Sequence, residues 1–116
     1  MGRLDGKIAF VTAAGGAIAG ETARRFAAEG AAVACVDIVE DNVHKTAADI
    51  EAAGRRANAL VCDVTNEDAV KAAINSTVEA FGKLNVVFNA AAYPDPLLPV
   101  EELDVAIWRK TLDVDV

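Results

Sequence analysis

Several things are scarce in this sequence, and each scarcity removes a class of function. Its 116 residues hold two cysteines and one histidine. Cys35 and Cys62 lie in apolar runs, far from any metal-ligand spacing, so they read as buried reduced thiols rather than a disulfide framework or a zinc site. His44 opens a polar helical segment with no nucleophile nearby, and reads as a solvated side chain rather than a general base. No apolar run approaches the roughly 18 residues of a membrane span, and no basic start leads into an apolar core like that of a leader, so the expected compartment is the cytoplasm. Cations are the minority charge, 11 Lys and Arg against 18 Asp and Glu for a net −7. They are scattered along the chain, which argues against nucleic acid or an anionic membrane as a partner. Neither a repeat nor a linker nor a low-complexity segment is present, so one domain is expected.

What the chain does have is a clean alternation of short apolar runs with segments of 3.6-residue period, the pattern of β-α units on a parallel sheet buried on both faces. The first run, Ile8 to Val11, passes Thr12 and a loop of small residues, Ala13-Ala14-Gly15-Gly16, into a helix whose inward face is read as Ile18, Thr22, Phe26 and Ala27. Gly30 is a left-handed cap, and Val33 to Val36 form the second strand. Val43, Ala47 and Ile50 mark the second helix, ending before Gly54, and Ala59 to Cys62 the third strand. Thr65-Asn66-Glu67-Asp68 resembles a capping box opening a helix with Val70, Ile74, Thr77, Val78 and Phe81 inward. Val86 to Phe88 form the fourth strand. Pro94, Pro96 and Pro99 then interrupt structure before a last helix, with Asp104 as N-cap and Ile107, Trp108 and Leu112 as its apolar residues.

A strand that feeds a small-residue loop and a helix start can present backbone N–H groups and the positive end of the helix to a pyrophosphate. An acid roughly 20 residues further on, here Asp37, is placed to accept hydrogen bonds from a ribose. Polar residues also follow the other strands, at Asp63 and Asn89, and in an open parallel sheet the carboxyl ends of the strands are where ligands bind.

Taken together, Thr12 through Gly20, Asp37, Cys62-Asp63-Val64, Asn89-Ala90-Ala91-Ala92 and Leu112 through Asp115 resemble, in order and spacing, the N-terminal half of a short-chain dehydrogenase/reductase. The resemblance runs the length of the chain. It implies an α/β Rossmann-type fold, a doubly wound parallel sheet in three α/β/α layers, incomplete with about four strands, and a single NAD-binding domain over residues 1–116. It further implies that Gly15, Gly16, Ala17 and Ile18 line the pyrophosphate and that Thr12 braces the loop. Asp37 and the following Ile38 would hold the adenine ribose, Asp63 and Val64 would meet the adenine ring, and Asn89, Ala90 and Ala91 would lie under the adenosine and ribose. NAD is the implied cofactor, because the Asp37 carboxylate repels a 2′-phosphate and no Arg or Lys stands beside it in the sequence. No metal is implied. The implied partners are an alcohol or ketone substrate and further copies of the same chain, with the Trp108 helix on the oligomer surface or packed in the core.

The sequence departs from the family pattern in ways that matter. An ungapped match puts Ala13, Ala17 and Ala19 where the family has glycine, and an alanine held in a left-handed backbone is destabilising by about 1 to 2 kcal/mol. Asp115 stands at the position of the family's catalytic asparagine. The family's Ser and Tyr-x-x-x-Lys have no counterpart, since the sole tyrosine, Tyr93, is followed by Pro94. The expectation is an NAD-dependent oxidoreductase whose catalytic half is absent from these residues, leaving them inactive alone. The alternative is a non-catalytic dinucleotide-binding or oligomerisation module.

Overall fold

The computed structural model describes residues 2–92 and 98–115. Four strands, β1 (Ile8–Thr12), β2 (Ala32–Asp37), β3 (Ala57–Val61) and β4 (Val86–Phe88), form one sheet in the order β3-β2-β1-β4, every pairing parallel. Between them run α1 (Ala17–Ala28), α2 (Glu40–Ala52) and α3 (Glu67–Phe81), and α4 (Val105–Asp115) follows a 3₁₀ turn at Val100–Glu102. The chain winds outward from β1 to β3 and then returns to the other side of β1, so the crevice between β1 and β4 is the switch point of the sheet. Tyr93, Pro94 and Pro96 lie outside the described residues.

Both faces of the sheet are covered, which is why the strands read as unbroken apolar runs. Successive side chains alternate between the two sides. Ala9, Val11, Val33 and Cys35 pack with Ala19, Ala23 and Ala27 of α1 and Val43, Ala47 and Ile50 of α2. Phe10, Ala34 and Val36 pack with Ala73 of α3 and with Cys62. Phe26 of α1 meets Phe88 of β4 edge to face, with ring centroids 6.5 Å apart.

The buried stripe of α1 sits one residue away from the stripe read from the sequence. Ala19, Gly20, Ala23 and Ala27 face the sheet, while Ile18 is 78% exposed. Small side chains let the helix axis approach the strands closely, and a Cβ on Gly20 would lie 3.0 Å from the Ala14 carbonyl oxygen. In α3 the buried residues are Ala73 and Thr77, and Val78 points outward. The α3 cap also differs from the expected box: Asn66 is the N-cap, its side chain accepting from Ala69 N at 3.1 Å. Asp104 caps α4 as expected, accepting from Ala106 N at 2.7 Å. α4 buries none of its residues, and Trp108 and Leu112 are about half exposed beside a small cavity with Leu103.

Burial pushes the Cys35 thiol up to about 12, against an ordinary value of 9.0. In the unfolded chain this thiol ionises near pH 9, whereas in the folded chain it stays protonated. Its contribution to stability is therefore complete below pH 9 and is lost as pH rises from 9 toward 12. Urea denaturation across that range should show stability falling with pH, and Cys35→Ala should flatten the slope even though it lowers stability at pH 7.

Candidate functional site

The turn leaving β1 is the most constrained backbone in the molecule. Ala13 has φ +55°, the one positive φ at a non-glycine residue among those described. Four contacts hold the turn: Ala14 N donates to Val36 O at 2.9 Å, Gly16 N to Ala13 O at 2.9 Å, Gly15 N to Asp37 Oδ2 at 2.9 Å, and the buried Thr46 hydroxyl to Ala14 O at 2.8 Å. A Cβ on Gly15 would stand 2.6 Å from Cβ of Asn42, so only glycine lets the turn lie against α2 and Asp37. α1 begins directly afterwards at Ala17. Of the three alanines in the ungapped match only Ala13 is left-handed, and the Ala19 methyl is buried in the core rather than turned to the loop surface.

The α1 amino terminus differs from its neighbours. Its N-cap, Gly16, offers no side-chain hydrogen bond, and its first turn carries no acid. By contrast α2 and α3 place Glu40 and Asp41, or Glu67 and Asp68, over their own first turns. The N–H groups and positive dipole end of α1 are thus left for an anion from outside.

Thr12, buried at the end of β1, works inward. Its hydroxyl oxygen accepts from Ala90 N at 2.9 Å and Ala91 N at 3.1 Å and donates to Phe88 O at 3.5 Å, tying the segment after β4 to β1. Asp37, at the end of β2, uses one oxygen for Gly15 N and the other for Val39 N at 3.1 Å. A carboxylate has about four acceptor positions, so about two remain for a ligand. Asp63 receives both the Thr65 hydroxyl at 2.7 Å and the Thr65 N–H at 2.9 Å on Oδ1. Those two Thr65 bonds, with a smaller contribution from Lys110, hold its carboxyl below the usual range against the opposing effect of burial.

Two adjoining cavities open at these strand ends. The first, about 420 Å³, is lined by Thr12, Asn89, Ala91, Val64 and Asp115 among others. The second, about 290 Å³, has mostly apolar walls and is lined by Asp37, Ile38, Asp63, Val64 and Ala91. Gly15, Gly16, Ala17 and Ile18 line neither cavity and stand at the turn and helix start, and Ala90 takes part through its backbone. The structure adds residues that sequence reading missed. Lys110 of α4, distant in sequence, lines the second cavity with both acids, and Cys62 lines both cavities. Thr46 and Asn42 fix the turn from α2. A threonine in the middle of a helix gave no signal, and Lys110 lies too far along the chain for spacing to associate it with Asp37.

The short chain dehydrogenase family model matches residues 7–116. The chain is 40% identical over 116 residues to a secoisolariciresinol dehydrogenase of Forsythia intermedia, covering 98% of this chain and 41% of that protein. It is 39% identical to a 3beta-hydroxysteroid dehydrogenase of Mediterraneibacter gnavus, covering 100% of this chain and 42% of that one. Among solved structures it is similar to an NAD+-bound xylitol dehydrogenase, with TM-score 0.95 and 37% identity over 98% of this chain and 44% of that chain. A hydroxysteroid dehydrogenase from Escherichia coli gives TM-score 0.88 and 33% identity, covering 98% and 48%. The chain thus spans less than half the length of these relatives.

Two substitutions test the site's construction. Ala13→Gly should raise stability by about 1 kcal/mol in urea denaturation, relief of the left-handed alanine outweighing the added freedom of the unfolded chain. Thr12→Val should lower it by about 1 to 3 kcal/mol, because two amides lose their acceptor.

Proposed function

The chain belongs to the short-chain dehydrogenase family, whose model covers residues 7–116, and from that premise we propose that it binds NAD as the cofactor-holding part of an enzyme that moves hydride between NAD(H) and an alcohol or ketone. The observation that carries this reading is Asp37. Its carboxylate closes the end of β2, is fixed by Gly15 N and Val39 N, and opens on an apolar cavity of adenosine size. The residues present fit such a cofactor: the bare amino terminus of α1 suits a pyrophosphate, and the packing that excludes a Cβ at Gly15 brings backbone N–H groups close to it.

In this reading Asp37 accepts the two adenine-ribose hydroxyls, with Ile38, 60% exposed, beside it. Asp63 offers its Oδ2 to the adenine amine, and the Val64 backbone and the Ala91 side of the cavity close the ring's edges. Gly15, Gly16, Ala17 and Ile18 cover the pyrophosphate, Asn89 lies under the adenosine and ribose, and Asp115 lines the larger cavity on the nicotinamide side. The bound cofactor supplies or accepts the hydride. Proton transfer would fall to the family's Ser and Tyr-x-x-x-Lys, for which this sequence has no counterpart. The half-exposed Trp108 and Leu112 of α4 support a homo-oligomer.

A second reading, a dinucleotide-binding module without catalysis, is favoured by the strained Ala13 and by the acid at position 115. Titration with NADH and NADPH by calorimetry separates the possibilities. We expect NADH to bind about tenfold more tightly than NADPH, the repulsion of a 2′-phosphate by Asp37 being partly offset by Lys110. Asp37→Ala should abolish that preference and weaken NADH by about tenfold or more. Equal binding of the two cofactors would overturn NAD selectivity, and no binding by a folded chain would overturn both dinucleotide readings and favour an oligomerisation module.

A further inference from the structure

The carboxyl end of the sheet carries the acids and the cavities described above. The opposite end carries cations. Lys7 precedes β1, Arg55 and Arg56 precede β3, and Lys83 precedes β4. Each strand of a parallel sheet begins at the same end, so three chain segments far apart in sequence deliver these four side chains to the rim of one cavity of about 320 Å³. Scattered along the chain, the cations are gathered by the fold.

Three further features set this cavity apart from an ordinary solvated surface. First, among the described residues no acid lines it; the lining is otherwise glycines, small apolar residues, Ile8 and Phe81. Asp5 stands against Gly30 at one end of it. Second, the charges are unpaired. Arg3, Arg24, Arg25, Lys45 and Lys71 each form an ion pair with Asp or Glu, whereas none of the four around this cavity does among the described residues. Leaving them so in a protein of net charge −7 is notable, because acids are abundant. Third, Arg56 is partly ordered already, its guanidinium lying 5.0 Å from the Phe81 ring centroid, which reduces the side-chain freedom lost on binding an anion.

We propose that this basic cavity at the amino end of the sheet is a second anion site, separate from the cofactor end, that takes a small polyphosphate. Convergent Arg and Lys donors suit closely spaced phosphate oxygens, with the guanidinium forks giving paired hydrogen bonds and the ammonium groups acting as point charges. Arg56 already covers Phe81, so no aromatic face is open for a base to stack on. Recognition is therefore of the phosphates, whether inorganic or carried by a nucleotide.

The test is titration of the 116-residue chain with inorganic pyrophosphate and, separately, ADP, followed by ¹⁵N–¹H NMR. The expected result for both ligands is a saturable shift of the amides of Gly6, Gly54, Arg55 and Lys83. The double variant Arg55→Gln/Arg56→Gln should weaken pyrophosphate by about tenfold or more, as loss of charge-assisted bonds predicts. Lys45→Gln/Lys71→Gln, which removes the same charge elsewhere, should leave pyrophosphate affinity within about twofold, since bulk charge is screened over about 10 Å. ADP binding no tighter than pyrophosphate at these amides supports phosphate-only recognition, and tighter groove-dependent ADP binding supports a nucleotide as the source. The proposal is overturned if the shifts fall instead on Gly15 to Ile18, or if the two double variants weaken binding equally. Shifts at Gly15 to Ile18 in addition to those at Gly6, Gly54, Arg55 and Lys83 would report phosphate at the proposed cofactor end and leave this proposal standing.

Discussion

The turn from Ala13 to Gly16 is the constraint on which the rest of this molecule depends. It must leave β1, clear the end of β2 and start α1 within four residues, and it does so by accepting a left-handed alanine and spending its polar groups on neighbours from two other elements. The Val36 carbonyl and the Asp37 carboxylate receive its amides from β2, while the Thr46 hydroxyl satisfies the Ala14 carbonyl from α2. These contacts fix where α1 begins, and the small face of Ala19, Gly20 and Ala23 then seats the helix on the sheet. Strain at one residue is thus offset by hydrogen bonds that also define the surface next to them.

A second tie acts on the other side of β1. Where Asp37 joins the turn to β2, Thr12 joins β1 to the segment after β4 through a single buried oxygen. The two together register three strand ends against one another. The two cavities at this end are consequently shared by residues from β1, β2, β4, α3, α4 and the segment after β3, and neither belongs to one element alone.

Much of this was legible in the sequence, for a physical reason: strands buried on both faces write themselves as continuous apolar runs, and left-handed glycines punctuate helix ends. All four strands, the helix ends at Gly30 and Gly54, and the acids at the end of β2 and beyond β3 follow from those two signals. The face of α1 did not, because hydrophobicity is a poor guide where close approach favours alanine and glycine, so that the larger Ile18 is left outside. The α3 cap was misread since Thr65 and Asn66 are both good caps and only the backbone geometry chooses between them. Lys110 near Asp63, and the four cations gathered at the far rim, were invisible because they depend on which ends of which elements meet in space.

That last arrangement gives the molecule an electrical polarity along its strands, with Asp37 and Asp63 at one end and Lys7, Arg55, Arg56 and Lys83 at the other. An anionic ligand approaching from a distance meets the field of a chain with net charge −7 and, at the carboxyl end of the strands, the carboxylates of Asp37 and Asp63 beside Lys110. Added salt screens that field over about 10 Å or less without reaching a docked pair. Capture at the acidic end is therefore a process that salt accelerates, and capture at the basic end one that salt slows, so ionic strength acts on this small fold as a selector between its two poles.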